Sequence, residues 1–133
     1  MIPLLVIDDD KALLELYHQV LERAGFCVDT AASGEEGTRL FDARDYGLVI
    51  TDLIMGGMDG NAVARHIRSF KRGGVVPVVC ISGTPWKADT HLFDAVMHKP
   101  VPMKDLVKSV RFLMGPVPGS EEEITPRISQ VFP

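Results

Sequence analysis

Five short apolar runs punctuate the chain: Leu4–Ile7, Cys27–Ala31, Leu48–Thr51, Val75–Ile81 and the weaker Ala95–Met97. Runs of this length, bounded by polar or glycine-rich stretches, read as buried strands rather than helices. The segments between them change period. Leu13, Leu14, Tyr17, Val20, Leu21 and Ala24 fall on one face of a helix that Asp10 caps and Gly25 ends. Ser33-Gly34-Glu35-Glu36 matches a capping box, with Leu40 and Phe41 on the buried side. Asp59 or Gly60 opens a third helix carrying Ala62, Val63 and Ile67, and Gly73-Gly74 is expected to stop it. Met103, Leu106, Val107 and Val110 give the last helix its apolar stripe, with Pro102 near its start.

Strand–helix alternation of this kind predicts an α/β fold: a doubly wound (βα)5 three-layer sandwich around a five-stranded parallel sheet. Right-handed crossovers then place helices on both faces. From Gly115 onward the composition shifts to Gly, Pro, Ser and a Glu121-Glu122-Glu123 run. The expected organisation is therefore a domain over 1–115 and a tail or linker over 116–133.

Polar residues at the ends of these runs carry the candidate chemistry. Asp8, Asp9 and Asp10 close the first run and Asp52 closes the third. In a parallel sheet the carboxyl ends of neighbouring strands open on one crevice, where ligands bind. Carboxylates gathered there repel unless a cation joins them. Oxygen-only ligands favour a hard ion such as Mg²⁺, and an aspartate beside it is a credible covalent phosphoryl acceptor. Singly, each residue has a plainer reading: a solvated strand end and helix cap for Asp8-Asp9-Asp10, a turn residue for Asp52, a structural hydroxyl for Ser82, a surface charge for Lys99. Their joint placement at strand ends is what favours a site.

Taken together, Asp8-Asp9 after the first strand, Asp52 after the third, Met58-Asp59-Gly60 beyond it, Ser82 after the fourth and Lys99-Pro100 after the fifth resemble a response regulator receiver domain of two-component signal transduction. The resemblance runs from about Pro3 to Met114 and implies a flavodoxin-like fold. It further implies that Asp52 is the phosphoacceptor, and that Asp9, Asp52 and the backbone carbonyl of Ile54 bind Mg²⁺ while Asp8 assists through a water. Ser82 would hydrogen-bond the phosphoryl group and Lys99 would pair with it as a point charge. A cis peptide before Pro100 would aim Lys99 into the pocket. The implied donor is a phosphohistidine on a sensor histidine kinase or phosphotransfer protein, and the implied output is binding of a downstream protein. Such a domain is a switch that catalyses its own phosphorylation and slow dephosphorylation, not a metabolic enzyme.

The chain departs from that family in four places. Gly56-Gly57 stands where a proline is common, so a looser loop is expected. Ser82 replaces the commoner threonine. Val96 stands where an aromatic ring usually reports activation. The stretch from Ser82 to Lys99 is short by about a helical turn, so the fourth helix is expected to be stunted, to about 87–93, or replaced by a loop. Phosphorylation is accordingly expected to rearrange mainly 83–93. Two other functions compete: a binding module of the same fold that has lost regulated phosphorylation, and an aspartate-nucleophile phosphatase. The latter usually carries a second aspartate two places after the first, where Ile54 stands here.

Composition narrows the setting. With 133 residues, 46% of them hydrophobic, the chain can build one core. The net charge of −4, with no basic patch, argues against direct nucleic-acid binding. No apolar stretch suffices to cross a membrane and no signal peptide is evident, so a cytoplasmic location is expected. Cys27 and Cys80 read as buried free thiols. His18, His66, His91 and His98 lack metal spacing and read as surface or half-buried residues. Trp86 is expected to pack over the shortened fourth helix, the other possibility being an exposed anchor for a partner.

Overall fold

A computed structural model describes residues 2–70 and 75–115. Five strands, β1 (Leu4–Ile7), β2 (Val28–Ala31), β3 (Leu48–Thr51), β4 (Val78–Ser82) and β5 (Ala95–His98), form one parallel sheet in the order β2-β1-β3-β4-β5. Four helices flank it: α1 (Lys11–Arg23), α2 (Gly34–Ala43), α3 (Gly60–Ser69) and α4 (Met103–Met114). This is the expected doubly wound sandwich. The inner strands β1, β3 and β4 are buried throughout, as their unbroken apolar sequences require, whereas the edge strands β2 and β5 are partly open.

Alternation along the strands builds two cores. Leu4, Val6, Leu48 and Ile50 face Leu14, Tyr17 and Leu21 of α1 and Leu106 and Val110 of α4. Leu5, Ile7, Val49 and Val78 face Phe41 of α2 and Val63, Ala64 and Ile67 of α3. Local chemistry sets the helix ends. The Asp10 carboxylate accepts from the Leu13 amide at 3.1 Å, Ser33 Oγ from the Glu36 amide at 3.0 Å, and Asp59 from the Ala62 amide at 2.8 Å. After α1, the amides of Gly25 and Phe26 return to the carbonyls of Glu22 and Leu21, closing the helix with buried Leu21 and Phe26 in one core.

Several details differ from the sequence reading. Strand β4 starts at Val78, three residues late, because Pro77 has no amide to give a ladder; its carbonyl instead accepts from Val49, and Val75 is exposed. Helix α3 ends at Ser69, with Phe70 already extended, and Gly73-Gly74 lies outside the described residues. Pro102 is the N-cap of α4. Cys80 is buried, with its thiol pushed up to about 12 by burial, but Cys27 is exposed, because it precedes an edge strand; its carbonyl accepts from the Leu4 amide. Both cysteines are free. Among the four histidines, His91 and His98 are exposed and His18 and His66 half-buried.

The expected stunting of the fourth helix is complete. Two single 3₁₀ turns, Pro85–Lys87 and Thr90–Leu92, occupy the β4–β5 connection. Helix α3 holds them. Asn61 donates to the Lys87 carbonyl at 3.1 Å and accepts from the Asp89 amide at 2.8 Å. Two turns along the same helix face, Arg68 donates to the carbonyls of Leu92 and Val76 and to the Asp94 carboxylate, which also accepts from the Val78 amide. Trp86 does not pack over this segment: it is 70% exposed, on a 3₁₀ turn that buries none of its three residues, and its ring meets His98 edge-on.

Candidate functional site

Sheet register brings the predicted acidic residues together. Ile7 pairs with Thr51, so Asp8 and Asp52 leave adjacent strand ends side by side, and the Asp52 amide donates to the Ile7 carbonyl at 2.9 Å. One strand further on, Ser82 pairs with His98, and the Lys99 amide donates to the Ser82 carbonyl. The peptide between Lys99 and Pro100 is cis. Lys99 Nζ then lies 3.2 Å from Asp8 Oδ2 and 3.2 Å from Asp52 Oδ2. The remaining Asp52 oxygen accepts from the Leu53 amide at 2.8 Å, and Asp8 Oδ1 accepts from the Asp10 amide at 2.9 Å. Each carboxylate is thus fixed by one backbone amide and shares one ammonium.

Charge balance in this pocket is incomplete. One oxygen each of Asp8, Asp9 and Asp52 lies within 4.8 Å of the others, against the single cation of Lys99. Burial raises the Asp8 carboxyl above its usual range; the Asp10 amide opposes this, Asp52 adds to it, and Lys99 opposes it. Burial pulls the Lys99 ammonium down, but the charges of Asp8 and Asp52 outweigh that and hold it above the ordinary lysine value. The Tyr17 phenol, buried beneath the pocket, is pushed up to about 12, mainly by burial, and stays neutral. Asp9 is exposed where Asp8 and Asp52 are buried, so the cluster opens to solvent on the Asp9 side. Three carboxylate oxygens converging on one open position are the donor set a hard divalent cation requires.

Ser82 stands at the rim, 1% exposed, its Oγ accepting from the Thr84 amide at 2.9 Å and lying 3.3 Å from the Thr84 hydroxyl. Its hydroxyl makes no hydrogen bond to Asp52 or to Lys99 among the described residues. Ile54, two residues after Asp52, turns its side chain outward at 53% exposure. The structure also reveals residues that the sequence did not single out for this site. Glu35, read only as part of a capping box, reaches the Asp52–Gly60 connection. Asn61 and Arg68 repeat at seven residues, a helical signal, but their partners lie 26 to 28 and 8 to 26 positions away and leave no local trace.

Fold and site together define a doubly wound α/β domain whose strand ends carry a cation-ready acidic pocket with a lysine in it. Comparison with known proteins gives that class its family. The model of the response regulator receiver domain matches residues 4–111. The chain belongs to this family, whose members are switches of two-component signalling. The transcriptional regulatory protein HprR of Escherichia coli is 33% identical over 79 residues, which cover 59% of this chain and 34% of HprR. The transcriptional regulatory protein GltR of Pseudomonas aeruginosa is 27% identical over 116 residues, covering 84% of this chain and 48% of GltR. The chain thus spans half or less of these curated relatives. Among solved structures, the response regulator protein TrrA of Thermotoga maritima, in complex with Mg²⁺-BeF, is similar with a TM-score of 0.77 and 29% identity, covering 85% of this chain and 99% of that one. Among the described residues no helix is long and apolar enough to cross a membrane.

Proposed function

We propose that this receiver takes a phosphoryl group on Asp52 from a phosphohistidine of a sensor histidine kinase or phosphotransfer protein, and that the modified form binds a downstream protein differently. The observation that carries this reading is the double anchoring of Asp52, by the Leu53 amide on one oxygen and Lys99 on the other, beside Asp8 and Asp9. An attacking carboxylate held at a fixed angle gains from orientation. A new oxygen–phosphorus bond forms on Asp52 as the phosphorus–nitrogen bond of the donor breaks. The imidazole leaves with that electron pair and regains a proton from solvent. Asp8, Asp9, Asp52 and the Ile54 carbonyl would hold Mg²⁺, the ion in the TrrA complex. Bound there, the ion would neutralise charge on the transferring oxygens, which is most of what phosphoryl transfer asks of a protein.

Lys99 has the second role. Its ammonium already bridges two carboxylates, so it can follow negative charge from Asp52 onto a phosphoryl oxygen without leaving the pocket. Ser82 would exchange the Thr84 contact for the same group. Later attack of water on phosphorus breaks the aspartyl oxygen–phosphorus bond and returns free Asp52 and inorganic phosphate, the slow dephosphorylation of the switch. Residues 1–115 would form the receiver and 116–133 a tail or linker, working in the cytoplasm where its donors' kinase domains reside. Incubation with Mg²⁺ and acetyl phosphate, read by intact mass, tests the assignment: one phosphoryl group on the wild type and none on Asp52→Asn. Equal labelling of the two proteins refutes it, and no labelling of either favours a binding module that has lost phosphorylation.

A further inference from the structure

We propose that Glu35 is a positioning residue for the acid pocket: by tethering the Asp52–Gly60 connection to helix α2, it sets the affinity for the divalent cation. The inference rests on the cation reading given above.

Residues 54–58 run without regular structure from the phosphoacceptor strand towards α3. Among the described residues they make a single hydrogen bond to the rest of the protein, from the Met58 amide to Glu35 Oε2 at 3.1 Å. Glu35 is well placed to hold it. It lies in the first turn of α2, where a carboxylate is favoured, and Ser33 caps that helix. Two glycines fit the chains together at the same point. A Cβ on Gly57, whose φ is +81°, would stand 2.5 Å from Glu35 Oε2, and a Cβ on Gly34 would stand 2.7 Å from the Met58 carbonyl oxygen.

The consequence reaches the metal through the chain. Leu53 and Met55 are buried and anchor the start of the connection, while a Cβ on Gly56 would meet nothing within 4 Å. Without the tether the Gly56-Gly57 pair is free to swing, and the Ile54 carbonyl is held only through the burial of its neighbours Leu53 and Met55. Ordering that loop would then be charged against each binding event, because entropy lost on binding subtracts from affinity. The glycines read from sequence as a looser loop are thus compensated by a side chain from a neighbouring helix.

Calorimetric titration of Mg²⁺ into wild type, Glu35→Ala, Glu35→Gln and Asp9→Asn tests this. Glu35→Ala should weaken Mg²⁺ by roughly three- to tenfold, the worth of one ordinary hydrogen bond, with its melting midpoint nearly unchanged. Glutamine keeps an acceptor oxygen but no charge, so Glu35→Gln should bind within about twofold of wild type. In the Glu35→Ala protein, phosphorylation by acetyl phosphate should need more Mg²⁺ yet reach the wild-type rate at saturation. Amide exchange at 56–58 should quicken in the same variant without metal. Wild-type affinity in Glu35→Ala overturns the proposal while leaving the metal site standing. Equal weakening in Glu35→Ala and Glu35→Gln overturns it in favour of long-range charge. A wild type that binds no Mg²⁺, or an Asp9→Asn protein that binds it normally, brings down the metal reading and the tether together.

Discussion

The β4–β5 connection leaves the sheet beside the acid pocket and returns to the sheet's amino end, and the two regions are built on opposite principles. The pocket is crowded with like charge: three carboxylates around one ammonium, with burial lifting Asp8 above its usual range. It gives up stability to be ready for a ligand. The connection is the reverse. It has lost a helix, and what remains is tied down by Asn61, which engages backbone groups between the two 3₁₀ turns, and by Arg68, which engages the end of the second turn and the Val76 carbonyl ahead of β4. Buried or half-buried backbone groups left without partners are costly, so a segment that cannot satisfy itself as a helix must borrow donors from a neighbour. Pocket residues should therefore matter for ligand affinity and little for folding, and clamp residues the other way round.

A paired substitution tests that division with the largest expected effects. Asp9→Asn should abolish most of the Mg²⁺-induced rise in melting midpoint, because it removes a charge and a ligand from an oxygen site. The wild type at a hundredfold excess over its dissociation constant should gain about 2.7 kcal/mol by mass action. Arg68→Ala should instead lower stability by about 2–4 kcal/mol, since it strips the Leu92 and Val76 carbonyls and the Asp94 carboxylate of one shared donor. Its Mg²⁺-dependent shift should survive. Thermal melts of both variants with and without Mg²⁺ give the answer. If Arg68→Ala also loses the metal shift, the two regions are not separate.

Much of this contrast was legible in the sequence, but unevenly. The pocket was readable because each member sits at the end of an apolar run, and parallel pairing necessarily gathers such ends. Asp8, Asp9, Asp52 and Lys99 converge for that reason alone. The missing helix was readable as a shortfall in length between Ser82 and Lys99. Its replacement was not, because Asn61 and Arg68 act on carbonyls and amides, which every residue has. Trp86 and Cys27 were misplaced for a related reason: apolar character predicts burial only where an element supplies an inner face. Trp86 lies on a 3₁₀ turn and Cys27 just before an edge strand.

A smaller effect concerns Lys99 in the metal-free protein. Burial pulls its ammonium down, but Asp8 and Asp52 more than compensate, so its folded pKa lies above the ordinary value of 10.5. A group raised in this way contributes stability that is fully present below its unfolded pKa and is lost as pH rises through the folded one. The wild type in EDTA should therefore lose stability above about pH 10.5 more steeply than Lys99→Met. Chemical denaturation at a series of alkaline pH values measures the difference. Parallel curves for the two proteins would mean that the ammonium gains nothing from its two carboxylates.

The smallest and most local effect is where the two regions meet. A modification shifts a conformational equilibrium only by interacting differently with the two states. Val96 is stiff and carries no ring to rotate, so the response must leave the pocket through Ser82. Ser82 is bound to Thr84 by its Oγ, and a Cβ on Gly83 between them would meet nothing within 4 Å. From Lys87 onward the Asn61 and Arg68 contacts take over. The mobile stretch expected from the sequence over 83–93 therefore narrows to the residues ahead of the clamp, 83–86, with the exposed Trp86 at its end. Amide exchange with and without beryllium fluoride should change at 83–86 and stay nearly constant at 87–94 and along α4. In Asn61→Ala, where the first tie is cut, the change should spread to Asp89. A response that already reaches Asp94 in the wild type would show that the clamp transmits the signal instead of stopping it.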